Sequence, residues 1–200
     1  MAFILFDIGG VTVKTDDYIA FRLLEKKGVE KKKAENFFFT EAYENFSRGK
    51  LDEKSFCRDV CKELGKELPF KVLKKAHDDH FYALDKGVLD AIKRVPRKSR
   101  GFLTDTNAWQ VKRIKNFIDM KKYSDHVFES YKMGSIKRDG GIFESVKNAL
   151  KKEGFQAKDM LLIDNDMFKC RSARKHGIKA YHFTDARRLK RFLARMEAAN

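Results

Sequence analysis

Cysteine is scarce in this chain of 200 residues, and the three present, Cys57, Cys61 and Cys170, are an odd number. They form no disulfide framework, so the fold must stand on its core, and the chain reads as cytoplasmic, in a reducing compartment. Long hydrophobic runs are missing too. None approaches the roughly 20 residues of a membrane span, and the run at 3–6 is too short for the core of a secretion signal, so a membrane is not an expected partner. Acidic residues are outnumbered, 29 against 44 Lys and Arg, for a formal net charge of +15. There is no glycine-arginine tract and no aromatic RNA-binding signature. The basic residues are spread over nearly every predicted helix, which reads as a solvated surface able to attract phosphorylated substrates, with nucleic acid the weaker alternative. What is present in quantity, 42% hydrophobic and 36% charged residues, describes a globular chain, and its length allows one full core with a modest insertion or two small domains.

The stretch from Phe3 to Thr12, FILFDIGGVT, organises the rest. Four apolar residues run without alternation into Asp7, and Gly9 and Gly10 then break the pattern, as in a strand buried on both faces that ends in a sharp turn. Asp7 is thereby placed at the carboxyl end of a central strand, where open parallel sheets bind ligands.

From Thr15 to about Arg94 no convincing strand is found, and short breaks separate amphipathic helices. The clearest begins at the N-cap Asp52, repeats Phe56, Val60 and Leu64, and stops at Gly65. Pro69 opens a further helix through Ala76 and Tyr82. From Gly101 short apolar runs alternate with helices, the signature of βαβ units. Strands are predicted at 101–104, 126–129, 160–164 and 180–183, and helices at 109–118, 141–150 and 186–196. The expected fold is α/β, a Rossmann-like, doubly wound parallel sheet formed by residues 1–14 and 95–200, with an all-helical cap inserted at 15–94.

Asp7, Thr104 and Asp164 fall at the ends of three predicted parallel strands, and Lys137 lies in a loop before a helix. Strands of one parallel sheet end on the same side, so these groups can converge. Carboxylates around Mg²⁺, a hydroxyl donor and an ammonium are the parts needed for phosphoryl transfer.

The order FILFDIGGV, FLTDTN, GSIKRDGGIF, LLIDND resembles motifs I to IV of the haloacid dehalogenase (HAD) superfamily, over the whole chain. The insertion resembles its C1-type cap, and FDIGGV with LTDTN is most similar to the sugar-phosphate phosphatase and epoxide-hydrolase N-terminal-like branch. The resemblance implies a Mg²⁺-dependent phosphatase acting on a small phosphorylated metabolite through an aspartyl-phosphate. It implies Asp7 as nucleophile, Thr104, Asp105 and Lys137 at the phosphate, and Asp7, the Gly9 carbonyl, Asp164 and Asn165 at the metal.

The departures are specific. Gly9 stands where many members carry an Asp that serves as general acid and base, Asn165 stands where a metal-binding Asp is usual, and Asp105 replaces an amide. They motivate an alternative, a degraded HAD-like protein that binds a ligand, protein or nucleic acid without turnover. A dehalogenase using Asp7 on carbon is a third reading. His77 and His80 are expected at the surface, Cys57 and Cys61 in the core, Trp109 against the cap, and Arg187, Arg188, Arg191 and Arg195 on a solvated face.

Overall fold

The computed structural model describes residues 2–198. Its strands are β1 (Phe3–Phe6), β2 (Val13–Thr15), β3 (Phe81–Leu84), β4 (Arg100–Thr104), β5 (His126–Glu129), β6 (Met160–Asp164) and β7 (Lys179–His182). Between and after them run α1 (Asp17–Lys26), α2 (Lys31–Glu35), α3 (Glu41–Ser47), α4 (Glu53–Leu64), α5 (Phe70–Asp79), α6 (Lys86–Arg94), α7 (Ala108–Ile114), α8 (Ser130–Met133), α9 (Gly141–Lys151), α10 (Met167–Lys175) and α11 (Ala186–Ala198).

Five strands form a parallel sheet in the order β5-β4-β1-β6-β7, with β1 at its centre. Every residue of β1 is buried, because both faces of the sheet are covered. Ile4 and Phe6 point into a cluster with Val88 and Ile92 of α6 and Leu189 and Leu193 of α11. Phe3 and Leu5 point the other way, against Ile142, Phe143 and Val146 of α9 and Ala173 of α10. Side chains alternate along a strand, so an unbroken apolar run is what a doubly covered strand requires. Each such side chain contributes on the order of 2 kcal/mol by leaving water.

The inserted helices build a cluster of their own, from Ala20, Phe21 and Leu24 of α1 to Leu73 and Ala76 of α5, completed by Trp109 from α7. Helix α4 starts and stops as its sequence predicts: Asp52 accepts from the Ser55 N–H, and Gly65 is left-handed at φ 68°. Trp109 packs against the insertion, Cys57, Cys61 and Cys170 are free, and the four arginines of α11 are exposed.

Four expectations are corrected. The stretch from Thr15 to Arg94 does contain strand: β3 pairs antiparallel with β2, Val13 opposite Leu84. The helix opened by Pro69 ends at Asp79, and Tyr82 belongs to β3. His77 and His80 are buried. Lys74 and Lys75 pair along the helix with Asp78 and Asp79, which leaves the opposite face, with His77, to turn toward Tyr43 and Trp109. Helix α6, read with the insertion in the sequence, packs on the sheet beside α11. Among the described residues no helix is long and apolar enough to cross a membrane.

Candidate active site

The chain leaves β1 through a turn that presents Asp7. Its N–H still bonds to the Ile163 carbonyl of β6 at 2.9 Å, continuing the ladder by one residue. The turn is then closed by Gly10 N–H to the Val13 carbonyl and Val13 N–H to the Ile8 carbonyl, both 2.8 Å, and by the Thr12 hydroxyl donating to the Asp7 carbonyl at 2.7 Å. Gly10 is needed here on two counts. Its φ is +75°, and a Cβ would lie 2.3 Å from the Asn165 amide nitrogen, which packs against it. Gly9 is not so constrained: a Cβ there would meet Phe81 and Thr15 at ordinary distances of 3.7 and 3.9 Å.

Asp7 Oδ1 accepts from the Ile8 N–H at 2.8 Å and lies 2.9 Å from Lys137 Nζ. Both contacts fall on one oxygen, and Oδ2 is left for chemistry. Lys137 has no exposed surface. Its ammonium spans the Asp7 carboxylate, the Asp164 Oδ2 and the Leu103 carbonyl, the last at 3.2 Å. Its own N–H donates to Asp105 Oδ1 at 2.8 Å. Asp164 is engaged through both oxygens, the second accepting from the Asp166 N–H at 2.8 Å. Asp166 in turn caps α10, accepting from the Phe168 and Lys169 N–H groups.

These contacts set the charges. Burial raises the Asp7 carboxyl to about 6 against the opposing pull of Lys137, and the Asp164 charge adds to the rise. Burial works against ionisation of Asp164 as well, but Lys137 and Lys169 overcome it and hold that carboxyl below the usual range. Lys137 remains charged despite burial, held above its ordinary value by Asp164 and Asp7.

Thr104 ends β4, buried, and lines the same cavity as Asp7, Gly9, Asp105 and Asn165. The convergence expected of Asp7, Thr104, Lys137 and Asp164 is therefore present. The cavity has a volume of about 630 Å³ and lies between the carboxyl end of the sheet and the helical block, which contributes Phe38, Phe39, Tyr43 and His80. Asp7, the Gly9 carbonyl and Asn165, all on residues that line the cavity, carry oxygens that could hold a cation. One carboxylate with neutral oxygens suits a hard, partly hydrated ion such as Mg²⁺, which keeps several waters. Asp164 is occupied on both oxygens, by Lys137 and by the Asp166 N–H, whereas Asp166, which also lines the cavity, caps its helix through Oδ1 alone and keeps Oδ2.

Several participants carry no motif in the sequence. Lys169, in the first turn of α10, places its ammonium 3.2 Å from Asp105 Oδ2, so the extra carboxylate beside Thr104 is paired. Arg48, at the end of α3, grips Asp139 with two bonds of 2.7 and 2.8 Å. Ser130 donates to the carbonyls of Ser47 and Thr106 and accepts from the Thr106 N–H. Beside them Gly49, at φ +70°, lies so close to the Tyr131 carbonyl that a Cβ would be 2.1 Å from it. Only the helix position of Lys169, one turn after the strand that carries Asp164, offered a signal.

No family model matches the sequence, and no curated protein matches it. Solved structures do. A HAD family enzyme from Bacteroides thetaiotaomicron, in complex with magnesium and inorganic phosphate, superposes with a TM-score of 0.74 at 22% identity, over 90% of this chain and 93% of that one. A predicted HAD-like family hydrolase from Porphyromonas gingivalis gives 0.72 at 21% identity, over 89% and 88%. An L-2-haloacid dehalogenase from Xanthobacter autotrophicus gives 0.62 at 14% identity, over 88% and 75%. With β1 at the centre of a parallel sheet and helices inserted after it, the chain has the fold of the HAD family enzymes.

Proposed function

We propose that the protein is a HAD-type hydrolase that removes phosphate from a small phosphorylated metabolite, with Asp7 as nucleophile. The observation that carries this reading is the Asp7–Lys137–Asp164 arrangement, a buried carboxylate pair bridged by one ammonium, with Asp7 lining the cavity. The bound magnesium and phosphate of the Bacteroides thetaiotaomicron enzyme support it, as does the donor set described above. Residues Asp7, Gly9 and Asn165 would hold Mg²⁺, with Asp164 close behind through Lys137. When bound, the ion neutralises charge on the phosphoryl oxygens.

Asp7 Oδ2 attacks phosphorus in line, the P–O bond to the leaving group breaks, and the carboxyl becomes an aspartyl-phosphate. Water then cleaves that bond, returning the carboxylate and releasing phosphate. Thr104 donates to a phosphoryl oxygen, Lys137 fixes Oδ1 and offsets the growing charge, and Asp105 orients the Lys137 backbone. Gly9 offers no carboxylic acid to protonate the leaving oxygen, so esters whose oxygen leaves without help, aryl or anomeric phosphates, are the favoured substrates. The helical block acts as the cap and selects the substrate by shape.

Hydrolysis of p-nitrophenyl phosphate with and without Mg²⁺, beside Asp7→Asn and Asn165→Asp, is the test. Turnover that requires Mg²⁺ and Asp7 supports the reading, and Asn165→Asp should lower the Mg²⁺ concentration needed. Turnover that survives Asp7→Asn sinks the mechanism. The rival reading, ligand binding without turnover, draws on Gly9 and Asn165, and an inert parent that still binds phosphate would favour it. Chloride release from a haloacid would instead place this chain with the dehalogenase neighbour in activity.

A further inference from the structure

A lysine ammonium has three N–H donors. Lys137 Nζ donates to Asp164 Oδ2 and the Leu103 carbonyl, and it lies 2.9 Å from Asp7 Oδ1 as its ion-pair partner. Lys137 is fully buried and does not line the cavity. It holds the nucleophile and supplies positive charge from behind the cavity wall.

Lys169 is its converse. It lines the cavity with Asp7, Thr104 and Asn165, and its side chain keeps 22% of its surface open. Asp105 Oδ2 is its ion-pair partner, on one bond of 3.2 Å, which leaves two donors. Asp17 and Tyr43 of the helical block line the same cavity. The other Lys or Arg lining the cavity, Arg138, is tied to Glu44 at 3.2 Å.

We propose that Lys169 is a second ammonium of the site and hydrogen-bonds the phosphoryl group directly, moving donors from Asp105 to phosphoryl oxygens when a phosphate enters. This rests on the phosphoryl reading of the same cavity. A dianion placed between Thr104 and Lys169 then meets donors on both sides, and a cation fixed in the protein supplies part of the charge that the neutral Asn165 leaves to the metal site.

Binding of inorganic phosphate, measured by titration calorimetry in EDTA and again with Mg²⁺, separates this from a purely structural pairing of Lys169 with Asp105. Lys169→Met should weaken phosphate at least tenfold in EDTA, and Lys169→Arg should keep most of the affinity. Asp105→Asn, which releases the ammonium and removes a negative charge, should tighten phosphate. Unchanged affinity in Lys169→Met overturns the proposal. So does weakening by Asp105→Asn with recovery in the Asp105→Asn, Lys169→Met double variant, the pattern of a simple counter-ion. If Lys169→Met does not fold, Lys169→Gln takes its place in the same titration, and unchanged phosphate affinity in it overturns the proposal. A parent that binds phosphate through Lys169 yet releases no nitrophenol ends the hydrolase reading and leaves this one standing.

Discussion

Arg48 and Asp139 meet as a two-bond fork, Nε to Oδ2 at 2.7 Å and Nη2 to Oδ1 at 2.8 Å, joining the helical block to the loop that carries Lys137. The Arg48 side chain is largely covered, and Glu44 extends the pair into a network with Arg138. A planar bidentate pair with a fixed neighbour is the geometry in which a surface ion pair has measurable worth. Arg48→Ala should cost about 1 kcal/mol and raise KM more than it lowers kcat, since it loosens the cover over the cavity without touching Asp7. A double-mutant cycle with Asp139→Asn checks it. A coupling near zero would show that the fork holds nothing.

Lys137→Met should be far more damaging. It leaves Asp7 and Asp164 facing each other, buried, with no counter-charge between them, a loss on the order of 3–5 kcal/mol. The deficit should shrink at pH 5, where one carboxylate can take a proton instead. Urea unfolding of parent and variant at both pH values gives the comparison, and a deficit that does not change with pH would contradict this account.

Gly9→Asp should gain function. A Cβ at Gly9 meets Phe81 and Thr15 at distances that require no movement, and Gly9 lines the cavity next to Asp7. A carboxylic acid there can protonate a leaving oxygen, a contribution of about 10² or more in rate. The gain should be large for alkyl phosphates, whose leaving groups need the proton, and small for p-nitrophenyl phosphate. Equal gains on both would mean that the new side chain acts otherwise.

The buried histidines make stability depend on pH. Burial holds His77 and His80 below their ordinary value, His80 at about 3. Unfolded, both take up a proton near pH 6.5; folded, they resist it. Their contribution is complete above pH 6.5 and is lost as the pH falls, down to about 3 for His80, by up to roughly 1.4 kcal/mol per pH unit for each group. Asp7 acts oppositely between 3.8 and about 6, where the folded chain takes the proton and the unfolded chain does not, so it offsets part of the loss. His80→Phe should flatten the dependence between pH 6.5 and 5, read from urea midpoints, and an unchanged slope would rule His80 out as its source.

Elements held by their own apolar pattern were legible in the sequence. The runs ending at Asp7 and Asp164 are buried on both faces and carry no charge to confuse them, and they lie side by side at the centre of the sheet. Strands β2 and β3 were not legible. They are three and four residues long, Lys14 sits in one of them, and each exists only because the other, distant in sequence, completes it. The histidines were misread because the charges around them in HDDH suggest a wet surface, whereas those charges pair along the helix and leave the ring face dry. Lys169 was hidden by abundance: among 44 basic residues, spacing alone does not single out a lysine that folding turns into the cavity.

The root of β2 and the turn that carries Asp7 are one piece of backbone, tied by Val13 N–H to the Ile8 carbonyl and Gly10 N–H to the Val13 carbonyl. Strand β2 also bears the helical block, through its pairing with β3 and the bond from Asp16 N–H to the His80 carbonyl. The helical block and the Asp7 turn thus hang from one short length of backbone, and any change in the tilt of that block would be felt at the peptide that holds Asp7.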